Sequence, residues 1–142
     1  MLELKVIKGK DQREGRIEQI QVIHEDKLVF LCSSLPTIKL LLSDLDVPYP
    51  NESKVEVTDK YAISTMKINT TRELVVEPYS RDENLGVNVD LVASVVGDWV
   101  IKVFAGTKDN ISYLYYPKVV IEDHKGIEYI TSTISLDELS LI

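Results

Sequence analysis

The chain has one cysteine, one tryptophan, two phenylalanines and six glycines in 142 residues, and each scarcity removes a class of explanation. A lone Cys32 cannot form an intrachain disulfide, so the fold is not a stapled secreted scaffold. Six glycines leave little material for phosphate cradles, and no GxGxxG, Walker-type loop, GxSxG elbow or CxxC pair occurs. No window approaches the roughly 18 apolar residues of a membrane span. The start MLELKVIKGKDQREGR carries charges throughout and lacks the apolar region of a signal peptide. The expectation is a soluble chain of a reducing compartment, in the cytoplasm or a virion, with no membrane partner. The sequons at Asn51, Asn69 and Asn110 are then chance matches.

Net positive charge is also missing. With 16 basic and 23 acidic residues the chain carries −7, split into −2 up to Glu77 and −5 from Pro78 onward. Such a surface repels polyanions. Lys5, Lys8, Lys10, Arg13 and Arg16 cluster, but Glu3, Asp11, Glu14 and Glu18 interleave with them, as in a solvated loop. Nucleic acid is therefore not the expected partner.

What is present is alternation. Val87, Val89, Leu91, Ala93 and Val95 alternate with polar residues, and Gly97-Asp98 then leads into the apolar run WVIKVFA. A Gly-X pair between two such runs is a type II′ hairpin signal. Further strands are read at 2–7, 16–24, 27–33, 54–58, 61–69, 73–77, 111–116, 118–122 and 127–135, with turns at Glu25-Asp26 and Asp123-His124-Lys125-Gly126. Between them the period changes: Ile38, Leu41, Leu42 and Leu45 fall at i, i+3, i+4 and i+7, one face of a helix at 36–46 stopped by Pro48 and Pro50. Ser135-Leu136-Asp137-Glu138 matches a capping box for a short C-terminal helix.

These signals predict a mainly β fold, an antiparallel sandwich or barrel of about ten short strands with one mid-chain helix. Residues 1–142 form one domain in this reading, with the polar stretch 78–86 as a loop or lobe boundary. The opening order of three strands, a helix and two strands is similar to that of OB-folds. It is equally similar to that of the β-sandwich subunits of phage-type tail tubes and baseplates. This is a likeness of element order without a motif.

Catalytic material is thin. His24-Glu25-Asp26 and Asp123-His124 each place an imidazole beside carboxylates and could share a divalent metal only if the two turns met. Each is also an ordinary hairpin turn. Cys32 closes the apolar strand LVFLC and reads as a buried thiol. Neither a catalytic residue nor a cofactor is expected.

Two features point to a protein partner instead. Trp99, Ile101, Val103 and Ala105 form one apolar stripe, while Val100 and Phe104 form a second on the opposite side, joined by Val92 and Val96 of the preceding strand. The second stripe requires cover, either from the helix or from another subunit. Tyr113, Tyr115 and Tyr116 supply rigid rings with polar tips, Tyr113 and Tyr115 on one face and Tyr116 on the other. The interface candidates are thus Tyr113, Tyr115, Tyr116, Val100 and Phe104. They belong to a non-catalytic assembly subunit, self-associating and structural in a viral or phage-like particle. Loops 8–15 and 78–86 are expected to order on contact. A small-ligand, carbohydrate or nucleic-acid module on a barrel face is the second reading, and a metal-dependent hydrolase using His24 and His124 the third.

Overall fold

A computed structural model describes residues 1–10, 16–79, 87–116 and 135–142, and the backbone of 120–122 and 128–130. The Asp123–Gly126 turn with His124, and much of the loops at 8–15 and 78–86, lie outside the described residues. One sheet holds β1 (Leu2–Gly9), β2 (Ile17–His24), β3 (Lys27–Cys32), β4 (Lys54–Val57) and β5 (Tyr61–Ile68), in the order β3-β2-β1-β5-β4 and antiparallel throughout. The other holds β6 (Glu73–Pro78), β7 (Asp90–Val96), β8 (Trp99–Lys108), β9 (Ile111–Tyr116), β10 (Val120–Glu122) and β11 (Glu128–Ile130). Within it, β8 pairs with β7, β9 and β10, while β11 lies beside β10 and β6 beside β9. Of the described pairs only β6 with β9 is parallel. Among the described residues no strand joins the two sheets, so the arrangement is sandwich-like and no closed barrel is formed by them.

The tight turns set the registers. Gly97 has φ 60° and Asp98 does not, with Val96 opposite Trp99, as a type II′ turn requires. Glu25 and Asp26 (φ 47° and 65°) and Asp109 and Asn110 (φ 53° and 63°) form left-handed pairs closing β2–β3 and β8–β9.

Helix α1 (Leu35–Asp44) buries the expected Ile38, Leu41, Leu42 and Leu45. Ten residues are too few for a stable isolated helix, so packing holds it. Ser34 occupies the N-cap without a side-chain bond, and Pro36 fits the first turn. The stop differs from expectation. Asp46 adopts φ 53°, its N–H donates to Ser43 O, and the Val47 N–H donates to Leu42 O, a Schellman motif complete before Pro48 is reached. Arg72 fixes that residue by an ion pair, Nη1 to Asp46 Oδ2 at 3.1 Å.

One core joins the layers. Leu2, Leu4, Val6, Ile20, Val22 and Phe30 of the first sheet meet the α1 face and Val92, Ile101, Val103, Ala105 and Leu114 of the second. Two buried serines tie the seam: Ser94 Oγ donates to Leu31 O and Ser112 Oγ to Leu45 O. The capping box is also formed, opening α2 (Leu136–Leu139). Beyond it, the C-terminal residues dock on β2. The Gln19 amide donates to Leu139 O at 3.0 Å and accepts from the Leu141 N–H at 3.0 Å, while Gln21 Nε2 reaches Ser140 Oγ at 2.6 Å.

Where α1 meets β7, two acids face each other. Burial, then the charge and hydrogen bond of Asp90, raises the Asp44 pKa, and Asp44 Oδ2 is buried with no hydrogen-bond partner. A raised folded-state pKa means that the native chain binds the proton more tightly than the unfolded chain. Stability from this group is therefore present at low pH and lost as pH rises through the folded-state value. Asp44→Asn is expected to stabilise by about 1 kcal/mol at pH 7, by supplying a donor to Asp90. Denaturant midpoints at pH 7 and pH 4 check this, since the gain should shrink at the lower pH.

Candidate interaction surface

Residues directly opposite each other on paired strands share a face. Because Val96 pairs with Trp99, every odd residue of β7 faces with an even residue of β8: Leu91 with Phe104, Ala93 with Lys102, Val95 with Val100. The regular apolar stripe of β7 is thus directed away from the core, which takes Val92 and Ser94 instead. This corrects the sequence reading, which set Val92 beside Val100 and Phe104. On β8 the expected core stripe of Ile101, Val103 and Ala105 is confirmed. The sheet therefore has apolar residues on both faces.

The outer face divides into a covered half and an open half. In the covered half, the Tyr79 ring stacks on Phe104 with centroids 4.4 Å apart and meets Tyr115 edge-on at 6.4 Å. Tyr113 stacks beside Tyr115 at 6.0 Å. Close by, a Cβ on Gly106 would lie 2.1 Å from Asn88 O, so the backbone entering β7 rests directly on β8. Tyr79 follows β6, on the far side of β9 from β7, so its ring and the Asn88 backbone reach this half from opposite sides. Helix α1 is not its cover, because α1 packs within the core.

In the open half, Leu91 is 49% and Val95 65% exposed, with Ala93 exposed between them. Two large aliphatic side chains flanking an alanine at three successive outward places of one strand form a patch rather than scattered exposure.

The five candidates separate accordingly. Val100 and Tyr115 are buried within the chain, at 7% and 2% exposure, and Phe104 and Tyr113 are half-buried on the outer face. Tyr116 lies on the opposite face, as alternation required, with Lys27 Nζ donating to its hydroxyl at 2.6 Å and lying 4.2 Å from its ring centroid. Tyr79, Leu91 and Val95 are the surface residues that the sequence reading missed as interface candidates. The signal for the two aliphatics was available in the two-residue turn, which fixes odd-to-even pairing.

Cys32 is fully buried, donates to Ser34 O at 3.6 Å, and burial pushes its thiol up to about 11, so no thiolate forms at neutral pH. Burial and the N-terminal charge lower the His24 pKa, and among the described residues no group of His, Cys, Asp and Glu side chains could hold a metal. A groove of about 790 Å³ is lined by Pro48, Tyr49, Lys54, Glu56 and Lys67, and a smaller hollow of about 340 Å³ by His24, Glu25 and Arg72. The described rings of the C-terminal half line neither. Among the described residues no helix is long and apolar enough to cross a membrane.

No known protein family, characterised protein or solved structure matches the chain. The reading of its role rests on the surface alone.

Proposed function

We propose that this chain is a non-catalytic assembly subunit that associates with itself through the open half of the outer face of the second sheet. The observation that carries this is the exposed stripe Leu91, Ala93 and Val95, continuous with the aromatic half at Phe104. A solvated sheet face ordinarily carries polar residues. Strand β7 gives this one three apolar residues in succession, with Lys102 of β8 opposite the central Ala93.

Light scattering after size exclusion, across about a hundredfold range of concentration, tests the proposal. The wild-type protein is expected to form a defined oligomer. Leu91→Lys combined with Val95→Lys should weaken association by about a hundredfold, through lost apolar burial and added like charge, with little change in melting temperature. Tyr113→Ala is the cleaner aromatic probe, since Tyr115 is buried in the fold. A wild-type monomer at every concentration would overturn the proposal.

A further inference from the structure

The open half ends at a sheet edge, and among the described residues no strand pairs with it. In a two-residue hairpin the closing pair exchanges both hydrogen bonds and the alternation continues from there. Val96, Ser94, Val92 and Asp90 therefore direct their backbone N–H and C=O groups at β8, while Leu91, Ala93 and Val95 direct theirs outward. No strand among the described residues pairs with that side of β7. The residues with free backbone groups are thus the same three whose side chains form the apolar patch.

Three other edges, β3, β4 and β6, are guarded. The strand β4 carries Lys54 and Glu56, and β6 carries Glu73 and Glu77 and ends in Pro78. On β3 the Leu31 carbonyl already accepts from Ser94. Charges and proline are the usual means by which an edge refuses a second strand, and β7 has one charge, Asp90, at its very start.

We infer that two copies of this chain join β7 to β7 antiparallel about a two-fold axis at Ala93, making one sheet that runs β8-β7-β7-β8 across the dimer. The inference deepens the assembly reading and rests on it. Three outward-pointing residues centred on Ala93 give an antiparallel pairing in which each copy presents the same edge, as a two-fold requires. Leu91 then lies opposite Val95 of the partner subunit, and the smallest side chain, Ala93, lies on the axis against the partner's Ala93. The charges agree with this register. Asp90 falls opposite Val96 of the partner subunit, which puts the two Asp90 carboxylates about 20 Å apart along the ribbon, beyond the ~8 Å screening length at physiological salt. A parallel pairing would bring them together.

Two variants test the pairing in the full chain. Ala93→Cys is expected to give a disulfide-linked dimer under mild oxidation, because an antiparallel hydrogen-bonded pair sets the two Cα atoms about 5.5 Å apart, within disulfide reach. The native Cys32 is buried and does not compete. Glu77→Cys, on the β6 edge, should remain uncoupled. Ala93→Pro removes an N–H that points away from β8, so the fold tolerates it as edge strands tolerate proline. It should weaken the dimer by about tenfold to a hundredfold, through the two bonds lost at the axis. If the wild-type protein is oligomeric but Ala93→Cys does not cross-link and Ala93→Pro associates normally, the edge pairing is overturned and face packing stands. A monomeric wild-type protein removes both.

Discussion

Gly106→Ala is expected to cost about 3 kcal/mol and to lower the melting temperature by about 10 °C. The reason is steric. A Cβ at this position would lie 2.1 Å from Asn88 O and 3.2 Å from Val89 Cα, and both are backbone atoms that no rotamer change can clear. Either the strand β8 bows or the segment entering β7 lifts away from it, and lifting withdraws the first rung of the β7–β8 ladder, Asp90 opposite Ala105. Gly97→Ala is the matched control: its Cβ would meet nothing within 4 Å, so only the φ of 60° opposes it, at about 1 kcal/mol. Thermal unfolding followed by circular dichroism separates the two. Equal effects would mean that the Asn88 backbone yields freely and that the covered half of the outer face is loosely held.

The second large effect is expected at Gln19. This amide is 3% exposed and bridges the docked C-terminal residues in both directions, donating to Leu139 O and accepting from the Leu141 N–H, while also accepting from Gln21 Nε2 at 3.0 Å. It acts as a strand would, pairing with backbone through a side chain. Gln19→Ala removes one donor and one acceptor and leaves Gln21, itself 3% exposed, without its neighbour. Unmatched buried amides cost about 1–3 kcal/mol each, so a loss of about 3 kcal/mol is expected together with release of residues 135–142. Hydrogen exchange reports both: the Leu141 amide should lose protection first. Since α2 has no buried residue of its own, these bonds and the partly buried Leu136 and Leu139 are what retain it. An unchanged Leu141 exchange rate would show that the two leucines suffice.

Much of this fold was legible because local chemistry decides it. The Gly97-Asp98 turn, the helical spacing of Ile38, Leu41, Leu42 and Leu45, and the Ser135 capping box each act over a few residues, and each is present. What local chemistry cannot state is which partner a residue meets. Leu91 and Val95 look like core residues in an alternating strand, and only the hairpin register directs them outward. Gly106 carried a readable signal, since a glycine inside a strand marks a close backbone approach, but the approaching segment, at Asn88, is 18 positions earlier. Nothing local marks Gln19 and Gln21 as buried, because the segment that buries them lies some 120 positions away. At the surface the reading mistook which aliphatic residues of β7 face outward, because that depends on the register of the hairpin.

The parallel pairing of β6 with β9 has a consequence for the order in which the chain folds. Hairpins β7–β8 and β8–β9 close through two-residue turns and form early, on local contacts alone. Strand β6 precedes all three, yet it must find β9, with Glu73 opposite Ile111 across 38 positions, and loop closure makes such a contact late. Until then Tyr79 has not been brought to Phe104, and the outer face of the new hairpins is bare over its whole width. The covering of Phe104 and Tyr115 by the Tyr79 ring is therefore expected to be among the last steps of folding, waiting on the pairing of β6 with β9.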